Sequence, residues 1–188
     1  MANVDRPNGF KPVRHLNGMP WNGQTNKYYV ASGVVYIGDP VIAETGTADD
    51  DGIPAVIVAA AGSEDIIGIC IGIDMATQSE DVNANYITAG GYISVVDDPS
   101  VIFEVQEDAN MGVAGIGKNC DMITYATGNT TSGTSIMELD SSEVTANAAT
   151  FRVLRAVQRV DNDPTLTNAK FEVYIVEHAY NHTTSLAT

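Results

Sequence analysis

Cysteine is nearly absent from this chain of 188 residues, which holds only Cys70 and Cys120. Two thiols cannot supply the disulfide framework of a small secreted domain. Cys70 falls inside the apolar run Ile66–Ile73, where a thiol behaves as a small buried hydrophobe. Met1–Gly9 is polar and has no apolar core of the kind a signal peptide needs, so a reduced intracellular setting is expected. Basic residues are the second scarcity: nine Lys and Arg oppose 24 Asp and Glu, for a net charge of −15. A nucleic-acid surface needs cations to displace phosphate counterions, and an anionic membrane attracts the same groups, so both partners are excluded. No apolar run approaches the length of a membrane-crossing helix. Nor do a dozen consecutive residues keep the 3.6-residue apolar period of an amphipathic helix.

What the chain does contain is a succession of short segments with β character. Val101, Phe103 and Val105 alternate with Ile102, Glu104 and Gln106, the period-2 pattern of a strand with one buried face. Tyr92–Val96 precedes them, and Asp97-Asp98-Pro99-Ser100 between has the chemistry of a tight turn, so the stretch Tyr92–Asp108 reads as a hairpin. Further strands are expected over Lys27–Ala31, Val34–Ile37, Val41–Ala43, Ala55–Ala60, Met122–Ala126 and Ile136–Leu139. Ile66–Ile73 is apolar throughout and short for a helix, which favours a fully buried strand; its Gly68 and Gly72 suggest bulges or close backbone approach. The clearest pair is Phe151–Val160 and Lys170–His178 across the polar turn Asp161–Asn168. Ala76–Asn85 and Thr127–Thr134 read as polar loops. Many short strands separated by turn signals predict an all-β protein, a β-sandwich or barrel.

Residues 1–26 differ from this body. They show no strand or helix period, and Pro7, Pro12 and Pro20 keep them out of helix. Yet they carry Phe10, Val13, Leu16, Met19 and Trp21, too much apolar surface for a solvated linker. Residues 1–27 also hold Arg6, Lys11, Arg14 and Lys27 against a single acid, Asp5, a local sign opposite to that of the whole chain. The expectation is an extended N-terminal arm, ordered only by lying on its own body or on a neighbour, with Phe10 and Trp21 as its anchors. The body is placed at 27–178 and a loose tail at 179–188.

Motifs that carry chemistry are weak. Gly112–Asn119 nearly spells a phosphate-binding loop, but Asn119 stands where a hydroxyl is required and no βαβ context surrounds it. His178 and His182 have the spacing of helical metal ligands without the helix. Asp49-Asp50-Asp51-Gly52 matches a calcium loop in composition only. Glu104, Glu107 and Asp108 are the carboxylates that a cleft would have to bring together for acid–base work. Arg152, Arg155 and Arg159 are read as partners for carboxylates within the chain or at a subunit contact. No catalytic residue, cofactor or metal is assigned, and the chain is not expected to be an enzyme.

Taken in order, several strings resemble one family. These are Asn8–Gly18 (NGFKPVRHLNG), Tyr28–Val30, Gly38–Val41, Ile66–Ile73, Phe103–Asp108, Ser135–Asp140, Arg152–Arg159 and Asn168–Phe171. Together they are similar to the head decoration, or cement, proteins of tailed bacteriophages. The resemblance implies a jelly-roll or related β-sandwich body with an extended N-terminal arm, or alternatively a small β-tulip-like barrel. It implies a homotrimer on the outer capsid surface of the virion, assembled in the host cytoplasm, which clamps neighbouring major capsid protein subunits against internal DNA pressure. The contact residues expected on that reading are Phe10, Lys11, Val13, Arg14, Leu16 and Trp21. Removal of residues 2–21 is then expected to abolish head binding and to leave the β body folded. The alternative is a glycan-binding or other minor structural protein of the virion.

Overall fold

The computed structural model describes residues 3–62, 65–74, 86–123, 128–145 and 149–181. The loop expected over 76–85, the end of the strand expected over 122–126, His182 and nearly all of the tail lie outside them.

The protein is all-β. Its first layer is a sheet built from β1 (Lys11–His15), β9 (Val101–Gln106), β14 (Lys170–Ile175), β13 (Phe151–Ala156) and β10 (Asn119–Cys120), in that spatial order and antiparallel throughout. Its second is a closed five-stranded barrel of β2 (Asn26–Val30), β5 (Pro54–Val58), β4 (Pro40–Ala48), β6 (Ile66–Asp74) and β8 (Tyr92–Val96). Within the barrel only β2 and β5 run parallel. Two small pairs complete the fold: β3 (Val34–Tyr36) with β7 (Tyr86–Thr88), and β11 (Met122–Ile123) with β12 (Glu138–Leu139).

Two apolar cores follow from this arrangement. Tyr28, Val30, Val41, Val56, Ile67, Cys70, Ile93 and Val95 fill the barrel. Phe103, Val105, Phe151, Val153, Phe171 and Val173 project from the inner face of the sheet and meet Ile66, Ile69 and Val96 from the barrel wall. The fold is therefore sandwich-like, with one of its two layers closed on itself, which removes that layer's free edges. Ile66–Ile73 is the buried strand expected, and its glycines have the role expected of them. A Cβ on Gly68 would collide with the Val96 carbonyl, and the β6–β8 register slips between Cys70 and Gly72.

Two expectations are corrected. Tyr92–Val96 and Val101–Gln106 are both strands, but they do not pair with each other. β8 completes the barrel between β2 and β6, while β9 sits between β1 and β14. The Asp97–Ser100 turn is thus the crossing from one layer to the other. Its local chemistry is that of any tight corner, with the Asp98 carboxylate accepting from the Ser100 N–H at 2.7 Å.

The second correction concerns the N-terminal segment, which lies on its own body, one of the two placements expected, but does so as a strand of the fold and not as a separate arm. β1 is the edge strand of the sheet, with Lys11 opposite Glu104 and His15 opposite Val101. Phe10 is 1% exposed and stacks on Phe151, ring centroids 4.5 Å apart. The approach is close enough to require glycine: Gly9 has φ +66°, and a Cβ there would lie 2.6 Å from the Gly38 carbonyl oxygen. The Phe10 N–H donates to that same oxygen at 3.0 Å. Further upstream, the Asn3 side chain donates to the Asp163 and Thr167 carbonyls and accepts from the Asp163 N–H. Deleting residues 2–21 would remove a strand and a core phenylalanine, so it cannot leave the body intact.

Candidate functional site: a cationic sheet face and its cleft

Residues directly opposite across antiparallel strands share a face. Lys11 of β1 stands opposite Glu104 of β9, Glu104 opposite Glu172 of β14, and Glu172 opposite Arg155 of β13. This row crosses four strands on the side of the sheet away from Phe103, Phe171 and the core. The same parity places Lys170 beside Glu172, since Lys170 pairs with Gln106.

The two carboxylates of the row are each shared among cations. Glu172 accepts from Arg14 Nη2 at 2.6 Å and from Arg155 through Nε at 2.9 Å and Nη2 at 3.1 Å. Burial works to raise the Glu172 pKa, but the hydrogen bonds and charges of Arg155 and Arg14 outweigh it and hold the carboxyl below its ordinary value. One side chain thereby ties β1, β13 and β14 together. Glu172→Gln is expected to cost about 1–2 kcal/mol, between the worth of an exposed pair and that of a buried one. The loss should register as a lower urea midpoint at neutral pH. Because the folded pKa is depressed, the contribution is present above the ordinary Glu range and disappears as pH falls through the folded value. Glu104 accepts from Arg159 Nη2 at 2.8 Å and Nη1 at 3.2 Å, with Lys170 Nζ 3.9 Å away.

At the end of this face the turn between β13 and β14 and the N-terminal segment enclose a cleft of about 670 Å³. Arg6, Lys11, Arg159 and Lys170 line it together with Asn3, Val4, Pro7, Asn129, Ser132, Thr134, Asp161 and Asn162. Most of its amides are already engaged in holding the walls. Asn162 donates to the Val157 and Lys170 carbonyls and accepts from the Lys170 N–H. Asn129 accepts from the Thr131 and Ser132 N–H groups. The groups left to meet a ligand are the cations. Among the described residues, neither Arg6 nor Lys11 forms an ion pair. Burial, then the nearby Lys170 charge, hold the Lys11 ammonium below its ordinary pKa. Seven of the nine basic residues of the chain, Arg6, Lys11, Arg14, Arg152, Arg155, Arg159 and Lys170, thus stand on this face or line its cleft. The carboxylates among them are Glu104, Glu172 and Asp161, with Asp5 accepting from Gln106 nearby.

A second surface lies at the edge. Beyond β1 the chain turns at Asn17-Gly18 and doubles back, with the His15 N–H donating to the Met19 carbonyl at 2.8 Å. This turn covers the outer edge of β1; Val13 on the strand and Leu16 and Met19 in the turn are 39%, 47% and 59% exposed.

The six contact residues expected from the sequence therefore divide. Phe10 is withdrawn into the core and is no anchor for a partner. Trp21 is half-buried and packs against the same core. Arg14 is occupied by Glu172, and Lys11 faces the cleft. Val13 and Leu16 alone present free apolar surface. Met19 joins them, and Arg6, Arg159 and Lys170 join Lys11. No spacing in the sequence announces that convergence, although the positive sign of residues 1–27 is its visible part.

The other candidates are dispersed. Glu104 is on the cationic face. Glu107 is fully buried and accepts from the Met111 N–H at 2.6 Å and the Ala169 N–H at 3.3 Å. Burial pushes its pKa up to about 7. Asp108 accepts from the Ser141 N–H. These carboxylates brace loops separately and form no acid–base pair. Of the three arginines, Arg155 and Arg159 pair with carboxylates as expected, whereas Arg152 donates to the Asn119 side chain at 2.7 Å. Gly112–Asn119 forms a short 3-10 turn, Val113–Gly115, leading into β10. Asp49 closes the β4–β5 loop, accepting from the Asp51 and Ile53 N–H groups and from the Tyr92 hydroxyl. No cluster of three metal-ligating side chains occurs among the described residues, and no helix there is long and apolar enough to cross a membrane. Comparison with protein-family models, with curated proteins and with solved structures gives no match.

Proposed function

We propose that this chain is a structural binding protein of a tailed-phage virion. On this reading it decorates the outer surface of the head as a homotrimer and clamps neighbouring major capsid protein subunits, with no catalytic role. The observation that carries the reading is the exposure of Val13 on β1 and of Leu16 and Met19 in the turn that follows it, read as one apolar ridge beside a strand anchored in the sheet. The ordered series of strings that resemble decoration proteins, from Asn8–Gly18 to Asn168–Phe171, supports the choice of partner.

The mechanics differ from those of a floppy arm. A free arm loses conformational entropy when it docks, and that loss is subtracted from the contact energy. Here the burial of Phe10 and the β1–β9 ladder fix the ridge before any partner arrives. Three such ridges in one trimer would bind with avidity, since engagement of the first raises the local concentration of the others.

The test is co-sedimentation of the full chain with purified expanded phage heads. Saturable binding is expected, and Leu16→Asp combined with Met19→Asp should weaken it on the order of tenfold or more. Both residues are exposed, so the thermal midpoint of the free protein should stay within a few degrees of wild type. Failure of the wild-type chain to sediment with heads, or undiminished binding by the double variant, overturns the reading.

A further inference from the structure

The cationic cleft has no role in the ridge contact, and its chemistry points to a different occupant. Arg6 and Lys11 form no ion pair among the described residues, and Glu104, which stands opposite Lys11, is already shared by Arg159 and Lys170. They sit in a concave site of about 670 Å³ whose amide walls are braced by their own hydrogen bonds. A partly enclosed site with two cations outside any ion pair suits carboxylate groups, which an arginine meets with paired hydrogen bonds and a lysine as a point charge.

The chain itself offers matching carboxylates. The loop joining β4 and β5 carries Asp49, Asp50 and Asp51. Asp49 is spent on holding the loop in shape, with its carboxylate accepting from the Asp51 and Ile53 N–H groups. Asp50 and Asp51 are exposed and make no ion pair among the described residues. The loop belongs to the barrel and does not line the cleft of its own chain. With a net charge of −15, two copies repel each other in most orientations. An approach that sets the acidic loop of one copy against the cationic cleft of the next turns that repulsion into attraction.

We propose that the cleft bounded by Arg6, Lys11, Arg159 and Lys170 is a carboxylate receptor for the Asp50–Asp51 loop of a second copy of this chain. The contact joins two different surfaces, so it is head-to-tail, and it closes into a ring where the rotation between copies permits. The inference rests on the self-association part of the function proposed above, and it is read in free solution without heads, so docking on heads and assembly can fail independently.

The experiment measures the mass of the full chain by light scattering at low and high salt, against a monomer of 19.9 kDa. The wild type is expected to form a multimer that dissociates progressively as salt screens the contact. Arg6→Glu with Lys11→Glu should give monomer, as should Asp50→Lys with Asp51→Lys. The variant carrying all four changes should recover the multimer, because the charges are exchanged and not lost. A second arm adds a synthetic peptide of residues 44–54 to the wild type, which needs no variant to fold. The peptide should release monomer at concentrations where inorganic phosphate and the peptide with Asn at 49–51 do not. The proposal is overturned if the wild type is monomeric throughout, if the loop variant assembles like wild type, if the exchanged variant stays monomeric, or if phosphate competes as well as the peptide.

Discussion

Phe10→Ala is expected to lower the stability of the isolated protein by about 3–5 kcal/mol, the usual cost of removing a buried phenylalanine ring. Against a total of roughly 5–15 kcal/mol for a domain, that is a large fraction. In a chain of this size it corresponds to a fall in Tm on the order of 10 °C. The loss has two sources. The ring's apolar surface returns to water, and a cavity opens beside Phe151, whose stacking partner at 4.5 Å is gone. The surroundings cannot easily collapse, because Gly9 and Gly38 already approach as closely as backbone allows. Val13→Ala is the control: its side chain is substantially exposed and should change stability by no more than about 0.5 kcal/mol. An arm that folds only on a partner would show the opposite pattern, with Phe10→Ala silent in the free protein. Thermal unfolding of the two variants separates these outcomes.

The second large effect is a pH dependence localised to His178. This residue is 0% exposed, lying where the chain bridges back to Ile66 at the start of β6. Its Nδ1 accepts from the Tyr180 N–H at 3.2 Å, which puts the proton of the neutral ring on Nε2, an atom without a partner among the described residues. Desolvation pushes its pKa down to about 4, and the charges of Asp97 and Asp98 oppose that shift without cancelling it. A histidine with a depressed folded pKa favours the native state fully above its unfolded value of about 6.5, and that contribution is lost as pH falls toward the folded value.

At pH 4 the wild type should therefore have lost about 3 kcal/mol relative to pH 8 through this one group. His178→Gln keeps an acceptor for Tyr180 and does not titrate. Between pH 8 and 4 its stability should fall by about 3 kcal/mol less than that of the wild type. Asp39 and Glu107 push the other way. Burial raises their pKa to about 6 and about 7, so each favours the native state below its unfolded range and loses that contribution as pH rises through the folded value. Both are unchanged by the substitution, so the difference between the two pH profiles isolates His178. Parallel profiles in urea would rule this account out.

How far the architecture was legible can be judged from particular elements. Ile66–Ile73, Phe151–Ala156 and Lys170–Ile175 announce themselves through apolar runs or period-2 alternation, which is a property of neighbouring residues and needs no knowledge of partners. Cys70 as a buried hydrophobe follows in the same way from the run it sits in. Pro99 and the aspartates around it mark a corner, also local. Whether that corner closes a hairpin or carries the chain between layers depends on which strands flank Tyr92–Val96 and Val101–Gln106 in space. Turn chemistry is the same in both cases.

The N-terminal segment shows the other side of this division. Its prolines and glycines hide the strand Lys11–His15, and a phenylalanine in such a setting reads as surplus apolar surface. By itself the sequence determined the all-β class, most strand positions, the acidic balance, and the presence of apolar and cationic side chains near the N-terminus. Tertiary structure alone decided that Phe10 belongs to the core, that Val13, Leu16 and Met19 stay exposed, and that Arg6, Lys11, Arg159 and Lys170 share one cleft. The physical reason is separation along the chain. Arg14 meets Glu172 across 158 residues. Contacts of that range arise from strand order and register, which emerge only when the whole chain has packed.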